Sequence, residues 1–406
     1  MLKIRNYQVL FYLNLLKGVI DLFIDSFLVL YLLTLSDGNI LPLGIYKIIS
    51  MVMLFIPFYL LRNVCKTKKR GMLLKIGICL NLLFFLVIIL LREQIVDYIY
   101  VIGVLYGIKE GVYYSVINVY ESDGVSNAER ARFQGNTVAL KAILAVSFSM
   151  FFGSLIALAG FLESFLVILG IVVVMVVLAL LFRDKAVPRT HKVQFGKFSK
   201  VVLKNKNIRQ IYKISFLLGL TYSGGAITSV TTLYIIKVFS DSFSMGVFNS
   251  VFNLLAAGVG VVFAKYLKKK NYAYSIVGSM TLTIVSLVVM ILDCNAMTII
   301  IFNFFQTISQ QLTNMINTNA TLNIANSKAI QAKYKVEYFT LRELMLTMGR
   351  VISQGLFIAM AFVDVTNILP FFVGFLALYM LSSARLQWRH RRGHAQLLEA
   401  EVVVED

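Results

Sequence analysis

Long apolar runs divide this chain and limit what it can fold into. Each has about 20 residues, the length that an α-helix needs to cross the hydrocarbon core of a bilayer. Hydrophobic residues fill 59% of the 406 positions and charged residues 15%, unlike a soluble domain. We therefore predict an all-α polytopic membrane protein. Its twelve spans are predicted at residues 8–34, 41–61, 72–91, 97–119, 136–159, 163–182, 210–236, 243–264, 273–292, 296–320, 343–363 and 367–385.

The Lys and Arg residues collect on alternate connections between these spans. If both termini lie inside, two of the 39 basic residues, Arg92 and Lys237, fall on the outer side and five lie within spans, which leaves 32 on the inner side. Basic loops stay on the cytoplasmic side of a membrane. We predict a multi-pass protein of the cytoplasmic membrane with both termini cytoplasmic. The net charge of +19 then faces anionic lipid, so membrane lipid is an expected partner and nucleic acid is not.

The longest polar stretch, residues 183–209, follows six spans and precedes six more. Phe195, Phe198 and Val202 recur there at helical spacing among lysines, as in an amphipathic helix on the inner leaflet. Four parts are predicted: an N-terminal six-helix bundle (1–183), a cytoplasmic basic amphipathic linker (184–209), a C-terminal six-helix bundle (210–386) and a cytoplasmic tail (387–406).

Similar stretches recur in the two halves. LYLLTLSD at 30–37 matches LYIIKVFSD at 233–241, and GSLIALAGF at 153–161 matches GLFIAMAF at 355–362. The shared offset of about 203 residues and the equal number of spans indicate a duplicated six-helix unit.

These features resemble the major facilitator superfamily of secondary transporters over nearly all of residues 1–390. The basic loop LLRNVCKTKKRGMLLKIG at 60–77 is similar to that family's loop signature, with Lys68, Lys69 and Arg70 in the basic places. The loop departs from the signature where its acid and leading glycine belong, and the fifth span lacks the proline of drug–proton antiporters. The resemblance implies two pseudo-symmetric six-helix bundles around a cavity lined by the first, fourth, seventh and tenth spans, with alternating access for a solute.

Charged side chains occur inside the predicted spans. A charge near the bilayer centre costs at least about 2.5–3.5 kcal/mol, so it needs a partner, a water-filled cavity or a function. Lys17, Asp21 and Asp25 share one helical face. We expect Lys17 to pair with Asp21, leaving Asp25 or whichever carboxylate is unpaired to meet Lys109 or a solute; a buried structural ion pair is the alternative. The full set is Lys17, Asp21, Asp25, Lys47, Lys109, Glu110, Lys141 and Arg350.

Uncharged polar groups add to this pattern. Five amides of the tenth span lie on one helical face and suggest a hydrogen-bonding wall for a polar solute, or a surface that joins helices: Asn303, Gln306, Gln310, Asn314 and Asn317. Gly224 and Gly225 weaken the seventh span, either to free backbone groups for a ligand or to allow close packing. Tyr113, Tyr114 and Asn118 follow Lys109 on the fourth span.

A second cluster of charges lies near the predicted inner surface. Arg342 and Glu343 open the eleventh span, and Glu343 shares a face with Arg350 seven residues later. We hypothesise a cytoplasmic latch for the outward-facing state, with ordinary interfacial charge as the alternative. Its residues would be Lys68, Lys69, Arg70, Glu121, Asp123, Arg342 and Glu343.

Five bases and three acids within the spans make the predicted cavity lean positive, which favours an anionic or zwitterionic solute. The histidines all lie outside the spans, so Asp21, Asp25 and Glu110 are the candidate proton carriers, with sodium coupling as an alternative. We predict a monomeric, proton-coupled secondary transporter without cofactor or metal. Drug or lipid-like efflux is the competing prediction; an intramembrane transferase is disfavoured because no His and Cys cluster occurs. The predicted substrate-binding or coupling residues are Lys17, Asp21, Asp25, Lys109, Glu110, Tyr114, Gln306, Gln310, Asn314 and Arg350.

Overall fold

A computed structural model describes residues 6–67, 69–124, 130–182, 192–239, 241–327 and 330–389. In these ranges the regular structure is helical, and a helix occupies each of the twelve predicted spans, which confirms the predicted fold class. Spans one to six are Asn6–Phe23 with Ile24–Leu28 and Val29–Leu35, Ile40–Leu60, Arg70–Leu91, Ile99–Gly124, Arg130–Ala159 and Phe161–Leu181. Spans seven to twelve are Lys206–Leu220 with Ala226–Val238, Ser242–Tyr266, Tyr272–Leu292, Ala296–Ala325, Gln331–Ala359 and Val365–Arg389.

Eight of the described helices are long and apolar enough to cross a membrane by length and composition. The fourth, seventh, tenth and eleventh spans are not among the eight. These four carry the Lys-Glu pair, the helix break, the amide row and the charged entry to the eleventh span. Polar residues are therefore concentrated in particular helices, which indicates that these helices face protein or water instead of lipid.

The two bundles meet along two seams, the second span against the eleventh and the fifth against the eighth. Glycines permit close contact at both. A Cβ at Gly44 would lie 2.4 Å from Ile358 Cγ1, and a Cβ at Gly153 would lie 2.9 Å from the Cα of Gly246. Small residues at such positions let helices approach where lipid supplies no hydrophobic driving force.

The first span contains a single π-helical turn, Ile24–Leu28, between its two α-helical segments. Such turns are rare and occur often at functional sites. Asp25 lies in this turn, whereas Lys17 and Asp21 precede it in regular α-helix. The spacing rule of a regular α-helix, which predicted one face for Lys17, Asp21 and Asp25, therefore does not apply unchanged at Asp25.

The seventh span breaks at residues 221–225, where the glycine pair suggested a weak helix. Gly224 has φ +74°, a left-handed conformation that favours glycine. The backbone groups freed by the break are bonded by the eleventh span: Ser353 Oγ accepts from the Ala226 amide at 2.7 Å, and Gln354 Nε2 donates to the Gly224 carbonyl at 2.8 Å. The protein itself thus satisfies these two groups.

Within the predicted linker, a helix runs from Phe195 to Lys204 and contacts both bundles. The ring of Phe195 stacks 6.4 Å from that of Tyr59 in the first bundle, and the buried ring of Phe198 lies 5.6 Å from that of Tyr334 in the second. The apolar face of this helix therefore packs on protein, and its place on the inner leaflet stays a prediction. Lys68, His191 and the tail from residue 390, with its two histidines, lie outside the described residues.

The seventh and eleventh spans cross with backbone contact. A Cβ at Gly349 would lie 2.2 Å from the Phe216 carbonyl oxygen, and one at Gly219 would lie 2.2 Å from the Leu346 carbonyl oxygen. Because a backbone oxygen cannot move away as a side chain can, we expect Gly349→Ala to cost about 1–3 kcal/mol of stability. A lower midpoint of thermal unfolding in detergent would measure this loss.

Gly355→Ala is the matched control, because Gly355 lies on the same helix and has open space where a Cβ would be. Its midpoint should equal or exceed that of the parent, since alanine favours helix. Equal midpoints for the two variants would contradict the close packing.

Candidate functional site

A cavity of about 450 Å³ lies between the two bundles. Its walls come from the first, fourth, seventh and tenth spans, which the family resemblance implied, and also from the second and eleventh. Polar side chains from the first bundle are Asp21, Asp25, Lys47, Tyr106, Glu110, Tyr114 and Asn118. Those from the second bundle are Tyr222, Ser223, Thr228, Ser229, Gln310, Arg342, Glu343 and Arg350.

Six of the ten predicted substrate-binding or coupling residues line this cavity: Asp21, Asp25, Glu110, Tyr114, Gln310 and Arg350. The other four do not line it. Lys17 and Lys109 lie behind the carboxylates. Gln306 and Asn314 lie about one turn before and one turn after the cavity residue Gln310 on the tenth span.

A buried network of charges supports the first-bundle wall. Lys17 Nζ donates to Asp21, as predicted, and also to Glu110 Oε1 at 2.9 Å. Lys109 Nζ donates to the same Glu110 oxygen and to Asn81 Oδ1 at 3.0 Å. Glu110 thus accepts hydrogen bonds from two buried ammonium groups, whereas Asp21 accepts from one.

Aromatic rings complete the surroundings of the two lysines. Lys109 Nζ lies 4.4 Å from the ring centre of Tyr106 and 4.8 Å from that of Phe84. Lys17 Nζ lies 5.5 Å from the ring centre of Tyr114, whose hydroxyl donates to Asp21 Oδ2 at 3.4 Å. Ring faces attract cations and add to the ion pairs in holding both ammonium groups in place.

Asp25 pairs with Lys47, and Lys109 pairs with Glu110 instead of Asp25. Asp25 lines the cavity, so its expected alternative contact with a solute stays a prediction. The Lys47 Nζ to Asp25 Oδ1 distance is 3.5 Å. Sequence spacing missed this contact because Lys47 belongs to another helix, although Lys47 stood out as an intramembrane charge.

In both pairs the carboxylate faces the cavity and the ammonium is recessed. The exposed fractions of the side chains are 29% for Asp21 against 3% for Lys17, and 60% for Asp25 against 14% for Lys47. The first-bundle wall therefore exposes its carboxylates to the cavity more than the ammonium groups that compensate them.

The second-bundle wall is built around Arg350. Its Nε donates to the Ser223 carbonyl at 2.6 Å, its Nη2 to Ser223 Oγ at 2.9 Å, and its Nη1 to Glu343 Oε1 at 2.5 Å. The predicted shared face of Glu343 and Arg350 is thus observed as an ion pair. The break in the seventh span supplies the carbonyl that accepts from the Arg350 guanidinium.

Arg342 also lines the cavity, about two helical turns before Arg350. Its Nε is buried and has no hydrogen-bond partner within the described ranges. Among the described residues, no carboxylate oxygen lies within 4.0 Å of its side-chain nitrogens. Arg342 is thus the cavity cation without a carboxylate partner in the part of the chain that is described.

The latch hypothesis needs correction at its second-bundle end. Arg342 and Glu343 line the cavity, and Glu343 is paired to Arg350 instead of a basic loop. Arg70 is buried with its guanidinium 4.5 Å from the ring centre of Tyr120. Lys68 and the side chains of Glu121 and Asp123 lie outside the described residues.

A different ion pair joins the bundles beside the linker. Lys66 Nζ donates to Glu337 Oε1 at 2.7 Å and to the Lys333 carbonyl at 3.0 Å. The Gln194 amide of the linker donates to the same Glu337 oxygen at 2.9 Å. Sequence reasoning missed Glu337, and the available signal was an acid among Lys333 and Lys335 at the entry to the eleventh span.

The predicted amide wall of the tenth span is wrong as a continuous surface. Gln310 lines the cavity. Asn303 Nδ2 donates to the Ile299 carbonyl at 2.9 Å, and Gln306 Oε1 accepts from Thr231 at 3.2 Å. Asn317 Nδ2 donates to Tyr379 and Ser383 of the twelfth span. Helix joining, the alternative interpretation, accounts for Gln306 and Asn317.

The amino-acid sequence matches a known family and one curated protein. Residues 69–353 match the family model of the Major Facilitator Superfamily. An uncharacterized Bacillus subtilis protein, YqgE, is 24% identical over 328 residues, which are 78% of this chain and 74% of that protein.

Solved structures share the fold at low identity. The human organic anion transporter MFSD10 (TETRAN) has a TM-score of 0.66 and 12% identity, covering 93% of this chain and 98% of its own. A bacterial homologue of the iron transporter ferroportin, in its outward-facing state, has a TM-score of 0.68 and 14% identity, covering 95% and 99%. At these identities the likeness concerns the fold alone.

Proposed function

The chain belongs to the Major Facilitator Superfamily, and from this premise we propose a proton-coupled secondary transporter that moves a small anionic or zwitterionic solute by alternating access. The observation that carries the proposal is the cavity between the bundles, whose walls present charged residues from both. A solute held there contacts both bundles at once. Rocking of one bundle against the other around that solute would then exchange the side from which it is reached.

Asp21 is the carboxylate that we propose as the proton carrier. When Asp21 is protonated, Lys17 keeps its bond to Glu110, so no buried ammonium loses its last carboxylate. Protonation of Glu110 would instead weaken the bonds of both Lys17 and Lys109. Asp21 is also open to the cavity, through which a proton can arrive. Sodium remains the competing coupling ion.

The lining also bears on the competing functions. Seven charged side chains line the cavity, against four aromatic or Met side chains, which are Met51, Tyr106, Tyr114 and Tyr222. An exporter of drugs or lipid-like compounds would favour an aromatic and Met-rich wall over charged groups, so the lining supports a polar solute. The family and its transporter fold neighbours indicate a transporter and not an intramembrane transferase.

The orientation and assembly are part of the same proposal. The basic loops and the linker favour cytoplasmic termini and a cytoplasmic membrane. The Lys66 pair with Glu337 would then act on the cytoplasmic side, where it ties the bundles together with the linker amide. We propose a monomer as the transporting unit, because each chain supplies both walls of the cavity.

Reconstitution in liposomes tests the transport function. Liposomes with a pH-sensitive dye inside receive pools of anionic, zwitterionic and cationic solutes under an imposed proton gradient. We expect one anionic or zwitterionic pool to drive a proton flux that protein-free liposomes lack. If solute movement required sodium and not protons, sodium would be the coupling ion. If no solute moved in any pool, the proposed function would be overturned.

A further inference from the structure

We infer that the solute is a small zwitterion that lies across the cavity, its ammonium group toward Asp25 and its carboxylate toward Arg342. The inference rests on the proposed transport function and narrows its substrate class. It is carried by the opposite charges that the two walls present and by the position of their counter-ions.

The first-bundle wall suits a cation. Asp25 lies in the π-helical turn with more than half of its side chain exposed in the cavity, and Lys47 is recessed beside it. A smaller fraction of the Asp21 side chain than of the Asp25 side chain is exposed, and Lys17 is buried behind Asp21. A bare anion at this wall meets the carboxylates of Asp21 and Asp25, which are more exposed than their partner ammonium groups, and this is unfavourable where water is scarce.

The second-bundle wall suits an anion. The Arg350 guanidinium is already bonded to Glu343 and Ser223, so it contributes charge with few donors left. Arg342 lines the same wall, and among the described residues no carboxylate lies within 4.0 Å of its guanidinium. A planar guanidinium can bind a carboxylate through two parallel hydrogen bonds, so a solute carboxylate would supply the partner that the described residues do not.

A zwitterion satisfies both walls together. A solute with a carboxylate but no ammonium group would place its hydrocarbon part against Asp25. A solute with an ammonium group but no carboxylate would give Arg342 no partner. A polar group that loses water without gaining a bond disfavours binding. Both charges of the solute are therefore needed, each by a different bundle.

Matched probes test this polarity on the whole purified protein in detergent. Three pools are titrated calorimetrically: free amino acids and dipeptides, the same compounds N-acetylated, and the same compounds amidated at the carboxyl end. We expect members of the free pool to bind and both blocked forms to bind at least about tenfold more weakly.

Two variants then locate each end of the solute. Asp25→Asn should reduce the preference for a free over an acetylated amine, and Arg342→Gln should reduce the preference for a free over an amidated carboxylate. Arg385→Gln, at an exposed arginine of the twelfth span, is the control that should keep both preferences. General damage to the fold would weaken all forms equally and would not change these ratios.

Several results would overturn the inference. Equal binding of acetylated and free compounds, equal binding of amidated and free compounds, or binding of none would each do so. The proton-flux assay distinguishes failure of this inference from failure of the proposed transport function. If an acetylated acid drove a proton flux, the protein would still be a transporter, but one that is not selective for zwitterions.

Discussion

Asp21→Asn is expected to abolish proton-driven accumulation of the solute while the folded protein is retained. Asparagine keeps the size of the side chain but cannot bind and release a proton. Lys17 keeps Glu110 as a partner at 2.9 Å, so both buried ammonium groups still contact a carboxylate, the one of Glu110 that they share. The measurement is solute uptake against its gradient in liposomes under an imposed proton gradient, compared with exchange of solute at equal concentrations on both sides.

Asp37→Asn is the matched control, because Asp37 is an exposed residue between the first two spans with φ +49°, a conformation that asparagine also tolerates. It should accumulate solute as the parent does. Full accumulation by Asp21→Asn would remove Asp21 from the coupling mechanism, and loss of exchange together with accumulation would show that Asp21 is needed for binding instead.

Glu110→Gln is expected to produce the largest loss of stability among the cavity variants. Glu110 is buried and bonded to both Lys17 and Lys109, and Lys109 would keep Asn81 but no carboxylate. Removing one partner of a buried ion pair costs about 3–5 kcal/mol because a charge is left uncompensated. The measurement is the midpoint of thermal unfolding in detergent, together with the yield of monodisperse protein.

The same acid-to-amide change at Asp25 is the control for stability. The Asp25 side chain is largely exposed in the cavity and its contact with Lys47 is 3.5 Å long, so Asp25→Asn should lower the midpoint far less. Similar midpoints for the two variants would contradict the structural role of Glu110.

Patterns within single helices were predictable, as the eleventh span illustrates. Glu343 and Arg350 are seven residues apart, so a regular helix places them on one face, and their ion pair follows from that spacing. The pair of Lys17 with Asp21 follows from a spacing of four in the same way. Within the described residues, eight of the twelve spans follow from apolar length, because only a helix satisfies its own backbone in lipid.

Contacts between helices were less predictable. The partner of Asp25 depends on which way one π-helical turn directs it and on how closely the second span approaches, and neither is encoded in the spacing of the first span. The amide row shows the same limit. Spacing placed Gln306 and Gln310 on one face, but the neighbouring helices assign Gln306 to Thr231 and Gln310 to the cavity.

The amino-acid pattern alone establishes the membrane, the helices and the charges that must avoid lipid, because these depend on local geometry and on transfer of side chains from water. Packing between helices settles which of those charges meet each other and which meet the cavity. Lys17 and Lys109 converge on Glu110 across two helices, whereas Arg342 lines the cavity with no described carboxylate beside it. Ion pairing acts over a few ångströms, and distances that short between separate helices exist only once the bundles are packed.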